Sequence, residues 1–192
     1  AEAILNNQTK INHMITSLAS LLRYSIKEQE LVTIGEEIVQ VRGYLMLQKE
    51  RFDQALSFCI EISDGVSSYL IPKLGIMTLA ENSIMHGMKG NVSKIHIDVD
   101  VYVENNILWI KVSDNGNGIE KEQLEKLLAS FADIQLRSEK STGIGLSNLV
   151  SRLRYLYHEK ASLHIESIIY AGTAITVKIP VSEVEHVSGI DH

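Results

Sequence analysis

Apolar residues recur at intervals of three and four through the first fifty positions. Ile4, Ile11, Met14, Ile15, Leu18, Leu21 and Leu22 form one stripe, and Ile34, Ile38, Val41, Leu45 and Phe52 form a second. That spacing predicts two amphipathic helices. The polar run Lys27-Glu28-Gln29-Glu30 separates them, and Thr33 with Glu36 is a capping-box pattern for the second. A helical hairpin over residues 1–53 has no core of its own. Its stripes are expected to meet a second copy in a four-helix bundle; packing on the rest of the chain is the alternative.

Beyond Phe52 the pattern turns to mixed α/β. Ala55–Ile62 reads as a strand that ends at the Asp64-Gly65 turn, and Pro72 is expected to open a helix running to Gly87. Ile95, Ile97, Val99, Val101 and Val103 alternate with polar residues, as in a half-buried strand. Asn105-Asn106 predicts a hairpin turn into Ile107–Val112, because Asn tolerates left-handed backbone. A helix is expected over Glu120–Phe131, a polar segment over Ser138–Ser141 and a helix over Leu146–Tyr157. A last hairpin joins Leu163–Ile169 to Thr173–Ile179 around Ala171-Gly172. The order of elements predicts a mixed, largely antiparallel sheet with helices on one face, over 54–182, and a frayed tail over 183–192. Alternating βαβ units are not expected, and the glycines do not form one G-x-G-x-x-G run, so a dinucleotide fold is set aside.

Composition narrows the classes. Lys and Arg number 18 against 24 Asp and Glu, a net charge of −6, which argues against a nucleic-acid binder. The single cysteine, Cys59, allows no internal disulfide and suits a reducing compartment. No apolar run is long enough to span a bilayer as a helix. The chain starts at Ala1 rather than Met, so it reads as a soluble piece of a longer protein.

Three clusters carry candidate chemistry. In Glu81-Asn82-Ser83-Ile84-Met85-His86-Gly87, Asn82 and His86 share a helix face with Thr78. The Asn82 amide there is expected to be half-buried and in need of a partner, either backbone or ligand. Asp114-Asn115-Gly116-Asn117-Gly118 follows a strand. A carboxylate there can accept from a ligand N–H, and the glycines permit close approach; a plain turn is the alternative. Gly143-Ile144-Gly145-Leu146 opens a helix, where exposed N–H groups favour an anion. Gly172-Thr173 adds a hydroxyl at the last hairpin.

Taken in order, Asn82, Asp114-x-Gly116-x-Gly118, Gly143-x-Gly145-Leu146 and Gly172-Thr173 resemble the successive motifs of the Bergerat-type ATP-binding fold. Leu21-Leu22-Arg23-Tyr24-Ser25, Tyr44-Leu45, Gln48 to Phe52, Ile71-Pro72, Arg152-Leu153 and Ile179-Pro180 are similar to LytS-type sensor histidine kinases, nearly to the end of the chain. The resemblance implies an α/β-sandwich ATP-binding domain behind a dimerising helical hairpin. It implies that Asn82 holds Mg²⁺ against the ATP phosphates, and that Asp114 takes the adenine amino group with Thr173 supporting it. Gly116 and Gly118 would let adenine sit close. Gly143, Gly145 and Leu146 would cradle phosphate at the end of a lid over 120–142, with His86 and Asn148 lining the phosphate side. The implied partners are ATP, a second copy of the chain and a response-regulator receiver domain. The implied setting is the cytoplasmic portion of a membrane-anchored bacterial protein.

Three departures shape this expectation. The family's phospho-acceptor lies in an Asn-Pro-His-Phe-like segment, which the chain lacks, so the acceptor histidine is expected upstream of Ala1. His13 has neither the Pro nor the Phe and is read as a surface helix position. Ile76-Met77-Thr78-Leu79-Ala80 replaces the family's usual Leu-Gln-Pro-Leu-Val-like run. Thr78 also stands one helical turn before Asn82, where ATP-hydrolysing relatives carry an acid that orients water. Transfer to a protein acceptor is therefore favoured, with Glu81 as the candidate base toward a histidine; a surface or helix-stabilising carboxylate is the equal alternative for Glu81. The alternatives are a degenerate nucleotide-binding dimerisation module and a Ser/Thr switch kinase of the same fold.

Overall fold

The computed structural model describes residues 2–88, 93–132 and 144–186. Helix α1 (Glu2–Ile26) leads into a short strand β1 (Leu31–Thr33) and helix α2 (Ile34–Phe52). Both bonds of the expected capping box form at the start of α2: the Glu36 amide donates to Thr33 Oγ1 at 3.1 Å and the Thr33 amide to Glu36 Oε2 at 3.0 Å. Then come β2 (Leu56–Ile62), β3 (Leu70–Pro72), α3 (Gly75–Gly87), β4 (Ile95–Glu104) and β5 (Ile107–Asp114). Helices α4 (Lys121–Ala132) and α5 (Ile144–Tyr157) and the hairpin β6 (Ser162–Ile168) and β7 (Gly172–Pro180) follow.

The main sheet has the order β2-β4-β5-β7-β6. Every pairing is antiparallel except β2 with β4, which runs parallel, so the chain crosses over between them through α3. The strict alternation in β4 is matched by burial: Ile95, Ile97, Val99 and Val101 all turn into the core. Asn105 and Asn106 form the expected turn, with φ of 51° and 63°. Leu108, Ile110 and Val112 of β5 and Ile175, Val177 and Ile179 of β7 complete the apolar face, which is covered by α3, α5 and α2.

Three expectations are corrected. Pro72 does not open a helix. It ends β3, which pairs with β1 so that Leu31 faces Pro72, and α3 starts three residues later at Gly75. A proline at a strand end gives up no ladder bond that the sheet needs. The stripe of α2 meets its own chain rather than a partner: Ile34, Val41 and Leu45 have no exposed surface and Ile38 is buried, all in the same core as the sheet. Burying such side chains stabilises the fold by about 1.5–3 kcal/mol each, enough to hold α2 on the domain without a second copy. In α1, by contrast, Ile15, Leu18, Leu22 and Ile26 remain exposed. Finally, the first residues of the expected frayed tail are docked. Val184 is buried, the Leu70 amide donates to the Glu185 carbonyl at 2.8 Å, and His186 bridges Tyr69.

Candidate nucleotide site

Helix α3 rises from a left-handed residue, Leu74 at φ 63°, and buries Ile76, Leu79, Ala80 and Ile84 against the sheet. Its opposite edge carries Asn82 and His86 into a cleft of about 520 Å³. The Asn82 amide nitrogen donates to the Thr78 carbonyl one turn back at 2.6 Å. This leaves Oδ1, a hard oxygen of the kind Mg²⁺ takes, as the other polar atom of a side chain lining the cleft. Thr78 spends its own hydroxyl on the Leu74 carbonyl at 2.7 Å.

The floor of the cleft is the end of β5. Oδ1 of Asp114 accepts the Gly116 amide at 2.9 Å, and the Ser83 hydroxyl and the Thr173 backbone amide also donate to this carboxylate. Burial nevertheless dominates and raises its pKa above the ordinary aspartate range; those three donors and nearby His86 pull the other way. Thr173 therefore supports Asp114 through its amide, while its hydroxyl pairs with Ser167 Oγ at 2.8 Å. Ser167 Oγ in turn accepts the Ile119 amide at 2.8 Å, tying the β6–β7 hairpin to the segment beyond Gly118.

Close backbone packing requires the glycines here. A Cβ on Gly116 would lie 2.4 Å from the Gly87 Cα, and one on Gly118, which sits at φ +67°, would lie 2.1 Å from the Ile168 carbonyl oxygen. These contacts fold the Asp114–Gly118 loop between the end of α3 and the last hairpin, and the Asn117 amide donates to the Gly87 carbonyl at 3.1 Å. Gly145 lets α5 approach α3, because a Cβ there would be 3.2 Å from Thr78 Cγ2.

The cleft thus brings together Asn82, His86, Asp114, Gly118, Leu146 and Thr173 from the residues that the sequence singled out. Gly116 sits behind the floor. Glu81, Gly145 and Asn148 are exposed and lie off the lining. Partial desolvation raises the Glu81 carboxyl above its usual range. Gly143, the segment 133–142 and the His13 side chain lie outside the described residues. Sequence reasoning missed Ser83, Asn117, Gln123 and Lys126, which also line the cleft. Ser83 stood beside Asn82 in the same cluster; Gln123 and Lys126 carried no signal beyond an amphipathic helix. Among the described residues, no group of three or more His, Cys, Asp or Glu could hold a metal ion. A cation here would rest on Asn82 and on the ligand's own oxygens.

Residues 73–183 match the family described as histidine kinase-, DNA gyrase B-, and HSP90-like ATPase, and residues 1–56 match a histidine kinase family. The chain is 35% identical over 176 residues to the sensor histidine kinase YesM of Bacillus subtilis, covering 91% of this chain and 28% of that protein. It is 31% identical over 173 residues to the sensor protein LytS of Bacillus anthracis, covering 89% of this chain and 29% of that protein. The chain thus spans under a third of the curated relatives it matches. Among solved structures, the histidine kinase domain of the Erythrobacter litoralis EL346 blue-light activated kinase superposes with a TM-score of 0.54 at 15% identity, covering 90% of this chain and 75% of that one. The catalytic domain of histidine kinase ThkA gives 0.51 at 18% identity, covering 80% and 96%. With residues 73–183 matched, more than half of its length, the chain belongs to the histidine kinase-, DNA gyrase B- and HSP90-like ATPase family.

Proposed function

We infer that this chain is the catalytic core of a sensor histidine kinase, which binds Mg-ATP in the cleft and passes the γ-phosphoryl to a histidine. The observation that carries the reading is Asp114: a carboxylate held by three donors on the floor of a cleft whose wall bears Asn82. Asp114 accepts a hydrogen bond from the adenine amino group, and Gly118 keeps that part of the floor free of a side chain. Asn82 Oδ1 would hold Mg²⁺, which supplies charge neutralisation on the phosphates. Lys126 adds positive charge from α4, and Leu146 and Thr173 close the remaining wall. Phosphoryl transfer asks mainly for such positioning and electrostatics. His86, Gly143, Gly145 and Asn148 serve the phosphate side in this reading.

Thr78 cannot orient a water as a carboxylate would, and its hydroxyl is already committed to Leu74. Glu81, exposed beside Asn82, suits a base toward an incoming imidazole better than toward water inside the cleft; desolvation strengthens it as a base. The acceptor is a histidine in an Asn-Pro-His-Phe-like context, which residues 1–192 do not contain. The phosphoryl then moves to an aspartate of a response-regulator receiver domain. The exposed stripe of α1 pairs with a second copy. The setting is the cytoplasmic part of a membrane-anchored bacterial sensor; no helix among the described residues is long and apolar enough to cross a membrane.

The test uses the longer protein incubated with γ-labelled ATP. Acid-labile, base-stable label is the expected result. Acid-stable label would make this a Ser/Thr kinase, and no label with intact Mg-ATP binding would make it a binding module.

A further inference from the structure

The N-terminus of α3 has no cap of its own. Its N-cap residue is Leu74, which offers no side-chain acceptor, so the first amides of the helix need a partner from elsewhere. Glu37 of α2 supplies it. Its Oε2 accepts the Leu74 amide at 3.0 Å and its Oε1 accepts the Met77 amide at 3.1 Å. Glu37 has no exposed surface, and the third donor to its carboxylate is the Tyr24 hydroxyl, from the last turns of α1. A buried carboxylate on the positive end of a helix is held in place by both charge and geometry.

A second charge ties the same two helix ends in the opposite sense. Lys73, just before α3 and also buried, donates from Nζ to the Ser25 carbonyl at 3.0 Å and the Lys27 carbonyl at 2.5 Å, with its Nζ 5.3 Å from the centre of the Tyr24 ring. Arg152 of α5 closes the cluster, donating to the Lys73 carbonyl at 2.5 Å and the Glu30 carbonyl at 2.9 Å. The end of α1 is therefore joined by charge-assisted bonds to the start of α3, and the link that follows α1 is joined at Glu30 to α5. Those two helices carry Asn82, His86 and Leu146 to the cleft. Asn82 lies eight residues beyond Leu74, about 12 Å along the helix at 1.5 Å per residue, and a helix transmits displacement at its end as a nearly rigid rod.

We propose that Tyr24 and Glu37 are positioning residues for the phosphate end of the nucleotide site: the borrowed cap fixes the placement of α3, and thereby of Asn82, and makes it respond to the placement of α1. This deepens the kinase reading and rests on it. Asp114 sits on β5 and meets α3 through Ser83 and Gly87, at the end of the helix far from the cap, so the adenine end of the site is held by the sheet as well as by α3.

The experiment measures Mg-ATP and adenosine binding to the 192-residue chain by calorimetry, for wild type, Tyr24→Phe and Glu37→Gln. Tyr24→Phe removes one hydroxyl and keeps the ring under Lys73, so it is the variant that decides if Glu37→Gln fails to fold. The expected result is a loss of Mg-ATP affinity of about 5- to 20-fold, at the lower end of typical couplings, with a smaller loss of adenosine affinity. Hydrogen exchange of the α3 amides, followed without nucleotide, should rise in both variants. A lower melting temperature with an unchanged ratio of Mg-ATP to adenosine affinity would overturn the inference and leave the kinase reading intact. A wild-type chain that binds neither ligand would overturn both.

Discussion

Gly87 and Gly116 pack backbone against backbone: a Cβ added to Gly116 would lie 2.4 Å from the Gly87 Cα and 2.5 Å from its carbonyl oxygen. Because both partners are main chain, neither can swing aside, and the Asp114–Gly118 loop must move instead. Gly116→Ala is expected to cost about 1–3 kcal/mol as an overpacking change. At about 2–4 °C per kcal/mol for a chain of this size, the shift is readable by thermal melting. Gly43, in the middle of α2, is the control, because a methyl added there would meet nothing within 4 Å. Gly43→Ala should stabilise by about 0.5–1 kcal/mol.

Asp114 carries a pH signature. Its pKa is raised in the fold by burial, so the protonated form is favoured there relative to the unfolded chain. Its stabilising contribution is full below the unfolded value and is lost as pH rises through the folded one. Asp114→Asn should therefore be at least as stable as wild type at neutral pH in urea unfolding, with the gap narrowing as pH falls into the ordinary aspartate range. Adenine binding needs the ionised form and has the opposite sign: affinity should begin to fall above that range as pH is lowered.

Lys126 lines the cleft from α4 and bonds Glu122 at 2.6 Å on an exposed face. Lys126→Ala should weaken ATP binding by about two- to fivefold and leave adenosine binding unchanged, as expected for an exposed charge near the phosphates. Raising salt should shrink the difference, which titrations at two ionic strengths would show.

The exposed stripe of α1 predicts a dimer seam. Leu18 and Leu22 are 54% and 58% exposed, so Leu18→Glu with Leu22→Glu should shift the sedimentation of the chain from dimer to monomer. The melting of the sheet domain should hardly change. An unchanged sedimentation profile would remove α1 from the interface.

Much of the sheet was legible: alternation reports burial directly from Ile95 to Val101, though Val103 at the strand end is exposed, and Asn105-Asn106 marked the turn. The order of polar and glycine clusters pointed to Asn82 and Asp114, and both line the cleft. What misled was context. Pro72 carries a helix-start preference, but three residues of β3 pair with β1, and tertiary pairing overrides that preference. The two stripes of the hairpin look alike, yet α2 covers the sheet while α1 stays exposed; periodicity gives a face, not its partner. The functions of Glu37 and Lys73 were unreadable because their bonds, the Tyr24 hydroxyl apart, run to backbone atoms of distant segments. Main-chain partners leave no pattern in side-chain identity.

Everything proposed for this cleft depends on its binding Mg-ATP with Asp114 at the adenine and Asn82 at the metal. Calorimetric titration of Mg-ATP into wild type, Asp114→Asn and Asn82→Ala reads this out. Wild type should show one saturable site. Asp114→Asn should weaken binding by about ten- to a hundredfold with or without Mg²⁺, as befits a lost charged hydrogen bond of about 1.5–3 kcal/mol. Asn82→Ala should lose the Mg²⁺-dependent part alone. Wild-type affinity in both variants would show that the nucleotide is held by other residues.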